Sequence, residues 1–146
     1  MPIDHVQIVS IPVSDQDRAR DFYVNALDWE LVSDNDEGDR RWVEVAPRHG
    51  QTSFTLVTWF ESMPAGSMRG IVLDTDDIEH TYQELAERGI IFEGPIEEGP
   101  FSRLATFNDP DGNAFVLHQL YQPRSRGGRG GRGGRGGRVL AYPAAG

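Results

Sequence analysis

The chain has 146 residues, which is enough for one domain of ordinary size with its own hydrophobic core. It contains no cysteine, and this excludes disulfide bonds, thiolate metal sites and a cysteine nucleophile. All 23 acidic residues but only 8 of the 14 basic residues lie in residues 1–123, so we do not expect this part to bind nucleic acid by itself.

No apolar run approaches the roughly 20 residues that span a bilayer, and the N-terminus lacks the basic-then-apolar pattern of a secretory signal. We therefore predict a cytoplasmic protein without a membrane partner.

The first half of the chain predicts the order βαβββ. Residues 3–13 alternate between apolar and polar faces, as a strand does, and Ser14-Asp15 provides an N-cap for a helix that ends near Asp28. Further strands are expected at residues 29–32, 41–46 and 53–59.

The second half repeats this order after a polar connector at residues 61–68. A strand at 70–75 precedes a helix that opens at Asp76-Asp77 and closes at Gly89, and strands follow at 90–93 and 103–107. The stretch Phe107–Gln119 then combines a strand end, the tight turn Asp-Pro-Asp-Gly-Asn and a last strand. It is a specific hairpin signal.

Two similar halves of about 60 residues each are too long for solenoid repeats and too short for two independent domains. We predict an α+β fold in which two βαβββ modules form curved mixed sheets around a cleft, with the helices outside. The predicted domain covers residues 1–122, with module one at about 1–60 and module two at about 68–122.

This pattern resembles the vicinal oxygen chelate superfamily, which includes glyoxalase I, extradiol dioxygenases, fosfomycin resistance enzymes and bleomycin-binding resistance proteins. The residues that carry the resemblance are Val13-Ser-Asp15, Phe22-Tyr23 and Leu27 in one half, and Asp76-Asp-Ile78, Leu85, Arg88-Gly89 and Asp109–Asn113 in the other. One departure is Asp28-Trp29, where relatives more often carry Leu-Gly; aspartate still tolerates the left-handed turn that this position requires.

The resemblance implies a divalent metal held by His, Gln or Glu from the first and fourth strand of each half. The matching positions in this chain are Ile8, Thr55, Gly70 and Val116. None of them is an ordinary metal ligand, so we predict no metal and no cofactor.

Strand alternation assigns one set of residues to the cleft, and this set is small, largely apolar and sparingly polar, as ligand pockets tend to be. The cleft residues are Ile8, Ser10, Ser53, Thr55, Val57, Gly70, Val72, Asp74, Ala114, Val116 and His118. Candidate aromatic walls are Trp42, Trp59 and Phe101, and Arg103 is a candidate clamp for an anionic group, although pairing with surface carboxylates is its default role.

His118 is the candidate catalytic residue, because an imidazole can act as a general base near neutral pH. The alternative is a partly exposed histidine at a strand end. No carboxylate or nucleophile lies at a sequence spacing that would complete a dyad.

Residues 123–146 are predicted to be a disordered tail, because 124–138 consists of four Arg-Gly-Gly units with a basic lead-in and contains no apolar residue. Such runs resemble RNA-binding boxes, so nucleic acid is a candidate partner only through this tail. The alternative is a repetitive extension past the end of the domain.

Three functional hypotheses follow. The first is a metal-free binding protein of the resistance or sequestration type, whose ligand is a small apolar or aromatic molecule. The second is a glyoxalase- or dioxygenase-type enzyme with an atypical site that includes His118. The third is a tether that works through the Arg-Gly-Gly tail. We favour the first, without deciding whether the protein is an enzyme, and we expect a homodimer.

Overall fold

A computed structural model of the chain describes residues 2–121. The predicted tail, and the tether hypothesis that depends on it, lie outside the described residues. Within the described part no helix is long and apolar enough to cross a membrane.

Module one begins with strand β1 (Ile8–Pro12), helix α1 (Gln16–Asp21) and a π-helical segment (Phe22–Ala26) that continues α1. Three strands follow: β2 (Glu30–Asp36), β3 (Arg41–Ala46) and β4 (Ser53–Val57). The predicted N-cap is confirmed, because the Asp15 side chain accepts a hydrogen bond from the backbone N–H of Arg18.

Three predicted strand boundaries in module one are wrong. The first strand starts at Ile8 rather than Ile3, since it pairs with β4 only from the Ile8–Ser53 register onward. The second strand runs on to Asp36, because its pairing with β3 continues to Arg41. The fourth strand ends at Val57 rather than Trp59, because its pairing with β1 ends at Pro12–Val57.

Module two contains strand β5 (Ile71–Asp74) and helix α2 (Ile78–Glu87), followed by the short strands β6 (Ile91–Phe92) and β7 (Glu97–Glu98). Strands β8 (Ser102–Asn108) and β9 (Ala114–Leu120) complete it. The sequence did not predict β7, a two-residue strand that pairs with β8 beside Arg103.

The strand order is β1-β4-β3-β2 in one sheet and β5-β9-β8-β6 in the other, with β7 also beside β8. In each sheet the first strand of the module runs parallel to its last strand, and the other pairs are antiparallel. The two predicted mixed sheets are therefore confirmed.

The modules share one hydrophobic core on the side of the sheets that carries the helices. Trp29 stacks on Phe54 of module one, with ring centroids 5.3 Å apart, and contacts Phe115 of module two at 6.0 Å. Tyr23 also contacts Phe115, at 5.9 Å. Within one chain the modules thus meet on their helix sides, and we call the other side of each sheet its open face.

A buried hydrogen-bond network fixes the turn before β9 against module one. The Asp109 carboxylate accepts four hydrogen bonds: from the Tyr23 hydroxyl at 2.7 Å, from the Asn113 amide at 2.8 Å, and from the backbone N–H groups of Asp111 and Asn113. The Asn113 amide also donates to the carbonyl oxygen of Pro12, at the end of β1. The turn predicted from sequence is therefore also the joint between the modules.

The same turn needs a glycine in the connector that faces it. The N–H of Gly66 donates to the carbonyl oxygen of Pro12, and Gly66 has φ of +84°. A Cβ at this position would lie 2.1 Å from the carbonyl oxygen of Asp111. Any other residue would therefore push the turn away from β1.

Burial, followed by the charge of the Asp109 carboxylate, raises the pKa of Tyr23 well above its ordinary value of 10.0. The phenol therefore stays protonated and keeps its donor for Asp109 throughout the neutral range.

Replacing Tyr23 with phenylalanine tests this joint. We expect Tyr23→Phe to lower the free energy of unfolding by about 1–3 kcal/mol, because a buried carboxylate loses one of its donors. Tyr82→Phe is the matched control, since the Tyr82 hydroxyl bonds the Gly94 carbonyl within module two and its loss should cost only about 0.5–1.5 kcal/mol. Urea unfolding followed by circular dichroism measures both; an equal loss in the two variants would contradict a special role for Tyr23.

Candidate functional site

Strand register places most of the predicted cleft residues on the two open faces. Side chains at adjacent in-register positions point to the same side of a sheet, and the core residues Ile11, Phe54 and Phe115 define the opposite side. The predicted residues on the open faces are Ile8, Ser10, Ser53, Thr55 and Val57 in module one, and Val72, Asp74, Ala114, Val116 and His118 in module two.

A polar row crosses the open face of module one. Ser10, Thr55, Glu44 and Ser33 are in register across β1, β4, β3 and β2. The Ser10 and Thr55 hydroxyls are 3.2 Å apart and share a hydrogen bond, and Thr55 is buried.

Glu44 is a residue of this face that the sequence analysis missed. One carboxylate oxygen accepts a hydrogen bond from the Trp42 indole N–H at 3.0 Å, and the other accepts one from the Ser53 hydroxyl. Alternation along β3 already puts Glu44 and Trp42 on the same face. The sequence alone does not show the register between β3 and β4, and this register places Glu44 beside Thr55.

The open face of module two combines apolar and polar side chains. Val72 and Val116 are in register at its centre, beside Thr106, and both valines are half-buried. Leu104, which the sequence analysis did not assign, is buried beside His118.

His118 lies within this face and is only 3% exposed, so the alternative of a partly exposed histidine is wrong. It is in register with Asp74 on β5, and Thr75 donates its N–H to the His118 carbonyl oxygen. The sequence spacing indicated no carboxylate partner, because only the parallel pairing of two strands 44 residues apart makes Asp74 and His118 neighbours.

The four remaining predicted residues lie around or away from these faces. Trp59 follows β4 and has the Arg40 guanidinium 5.1 Å from its ring centroid. Phe101 is exposed in the turn before β8, and Gly70 is exposed just before β5 with φ of +95°. Strand alternation places the Arg103 side chain on the helix side of β8.

Arg103 forms ion pairs with Glu79 of α2 at 2.6 Å and with Glu98 of β7 at 3.0 Å. Glu98 also accepts a hydrogen bond from the Tyr121 hydroxyl, and this bond is the main reason why the pKa of Glu98 is lowered. The structure therefore places Arg103 in the surface pairing that was its default role, and not on an open face.

The positions that the resemblance assigns to a metal do not fit one. Ile8 and Val116 have no donor atom, Gly70 has no side chain, and the Thr55 hydroxyl is already bonded to Ser10. Within residues 2–121 no group of three or more His, Asp or Glu side chains is placed to hold a metal ion.

Comparison with known proteins agrees with this fold. Residues 3–117 match the Glyoxalase/Bleomycin resistance protein/Dioxygenase superfamily. The Bacillus subtilis protein YetH is 30% identical over 121 residues, which cover 80% of this chain and 99% of YetH.

Two solved structures have a higher sequence identity to this chain than YetH has. TnmS3, described as an antibiotic binding protein from Streptomyces sp. CB03234, is 47% identical, with a TM-score of 0.77 over 82% of this chain and 98% of TnmS3. A glyoxalase/bleomycin resistance protein from the same strain is 44% identical, with a TM-score of 0.71 over 79% of this chain and all of that protein.

Three findings agree on the family of this chain: the βαβββ repeat, the parallel pairing of first and last strands in each module, and the match over residues 3–117. The resemblance noted in the sequence is confirmed. This chain belongs to the Glyoxalase/Bleomycin resistance protein/Dioxygenase superfamily.

Proposed function

We propose that the chain is a small-molecule-binding protein of the resistance or sequestration type, which holds an apolar or aromatic compound against the open faces of its sheets. One observation carries the proposal. The open faces combine half-buried valines, an indole and a few hydrogen-bonding groups, while the four positions that hold a metal in enzymes of the family carry no suitable ligand.

The similarity to TnmS3 supports the same proposal. TnmS3 is described as an antibiotic binding protein, and nearly half of the aligned residues are identical in this chain. A shared fold alone would not carry function, since one scaffold serves many activities. The composition of the open faces supplies the second, independent argument.

Filling an open face should weaken ligand binding. Val116 is half-buried at the centre of the module-two face, so we expect Val116→Trp to weaken binding of the neutral fluorescent probe N-phenylnaphthylamine at least tenfold. Ala86→Trp, on the exposed side of α2, is the control and should bind like wild type. Titration followed by probe fluorescence measures both. The proposal fails if wild type does not bind the probe, or if both variants bind equally well.

A second candidate function is catalysis at His118, and the pairing of β5 with β9 favours it. The register pairs Asp74 with the buried His118 on the same face of the sheet, and a carboxylate that bonds an imidazole can orient a histidine base. This arrangement falls within the enzyme alternative that the sequence left open.

Mass spectrometry separates the two functions. Each aromatic compound that displaces the probe is incubated with wild type, His118→Gln and the control His80→Gln, whose histidine is exposed on α2. We expect every compound to be recovered with its mass unchanged from all three proteins. Conversion by wild type and His80→Gln but not by His118→Gln would replace the binding proposal with catalysis.

We further propose that two chains form a homodimer that covers the open faces. Ile3, Val6 and Ile8 form an exposed apolar series that leads into β1, with exposures of 80%, 60% and 36%. Size-exclusion chromatography with light scattering should give twice the mass of one chain at micromolar concentration. A mass of one chain across the concentration range would contradict the dimer.

A further inference from the structure

The carboxylate of Glu44 stands at the centre of the module-one open face, between strands on both sides. Its register partners are Thr55 on β4 and Ser33 on β2, so it is not at a sheet edge. Adjacent strands lie about 4.8 Å apart, which puts Glu44 one strand spacing from Thr55 and two from Ser10, the two residues of the hydroxyl pair. A ligand that contacts one of these groups therefore reaches the other.

Glu44 is half-buried and receives only neutral donors. Its hydrogen-bond partners within residues 2–121 are the Trp42 indole and the Ser53 hydroxyl, and no arginine of the described chain pairs with it. By contrast, Arg41 pairs with Asp34, and Arg69 pairs with Glu93. A carboxylate has about four acceptor positions, so Glu44 retains room for a further donor. Partial burial makes that further bond favourable.

Trp42 supplies the aromatic part of the same site. Its N–H bond to Glu44 fixes the indole next to the carboxylate, and the ring is half-buried on the same face. An aromatic ligand that packs against this ring places its edge beside Glu44. The Ser10–Thr55 pair adds one hydroxyl proton that their mutual bond does not use, and this proton can be donated to the ligand oxygen.

We propose that Glu44 is a specificity-determining residue that accepts a hydrogen bond from a hydroxyl group on a planar aromatic ligand packed against Trp42. The inference rests on the proposed binding function and names its ligand class. The negative charge of Glu44 also selects against aromatic ligands that carry a carboxylate.

Three probes that share one ring system test this selectivity: naphthol, and the methoxynaphthalene and naphthoate with the substituent on the same ring carbon. The full chain is titrated by displacement of N-phenylnaphthylamine. We expect naphthol to bind about tenfold more tightly than methoxynaphthalene, which lacks the donor, and naphthoate to bind more weakly than both.

Glu44→Gln should remove most of the naphthol preference, because an amide oxygen is a weaker acceptor than a carboxylate, and should leave the affinity for methoxynaphthalene unchanged. The control is Glu87→Gln, a carboxylate on the exposed side of α2, which should preserve the wild-type order of the three probes. Glu44→Gln keeps the size of the side chain, and its thermal unfolding curve shows whether it is folded.

The outcomes separate this inference from the function on which it rests. Equal affinity of wild type for naphthol and methoxynaphthalene, or an equal loss for both in Glu44→Gln, overturns the role of Glu44 and leaves probe binding intact. If N-phenylnaphthylamine binds wild type but none of the three probes displaces it, the inference also falls while the proposed function stands. Failure of N-phenylnaphthylamine itself to bind overturns both.

Discussion

The structure depends on the buried hydrogen bonds that the Asp109 carboxylate receives from Tyr23 and Asn113. Burying a carboxylate is unfavourable unless its oxygens are satisfied, and here four donors satisfy them. Three of these donors lie in the turn itself and the fourth, the Tyr23 hydroxyl, comes from module one, so the carboxylate is fully satisfied only when the modules are docked. The position of β9, and of Val116 and His118 on it, follows from this docking.

The π-helical segment after α1 brings two aromatic side chains into the shared core. The Leu27 N–H bonds the Phe22 carbonyl oxygen, five residues earlier, and the Trp29 N–H then bonds the Tyr23 carbonyl oxygen. Between them Asp28 adopts φ of +60°, the left-handed conformation expected at this departure from the family pattern. The wider turn allows Tyr23 and Trp29 to contact Phe115 together.

Local patterns were sufficient to predict the repeat, both helix starts and the turn at Asp109–Asn113, because each depends on residues close together in sequence. The same patterns placed the helices outside a cleft shared by the two sheets, whereas the modules of one chain meet on their helix sides. That depends on contacts such as Trp29 with Phe115, between residues far apart in sequence. Strand β7 was missed because two residues carry too little periodicity to show a strand.

For the candidate site too, features within one strand could be predicted from the sequence, and features that join different strands could not. Alternation within a strand correctly grouped Ser10, Thr55 and Val57 on one face, since a period of two needs no tertiary information. Glu44 beside Thr55, and Asp74 beside His118, depend on register between strands. Register between strands is determined when the sheets assemble, and it cannot be derived from the pattern of a single sequence.

The link between Tyr23 and Asp109 joins residues 86 positions apart, and this has a consequence for folding during synthesis. When module one has left the ribosome, Tyr23 and Trp29 still lack Phe115, and the Tyr23 hydroxyl still lacks its acceptor. The first half of the chain must therefore remain incompletely packed until almost the whole domain has been translated. Non-local contacts of this kind slow folding and lengthen the time during which aromatic side chains are exposed, so this domain is expected to fold after, rather than during, the synthesis of its first half.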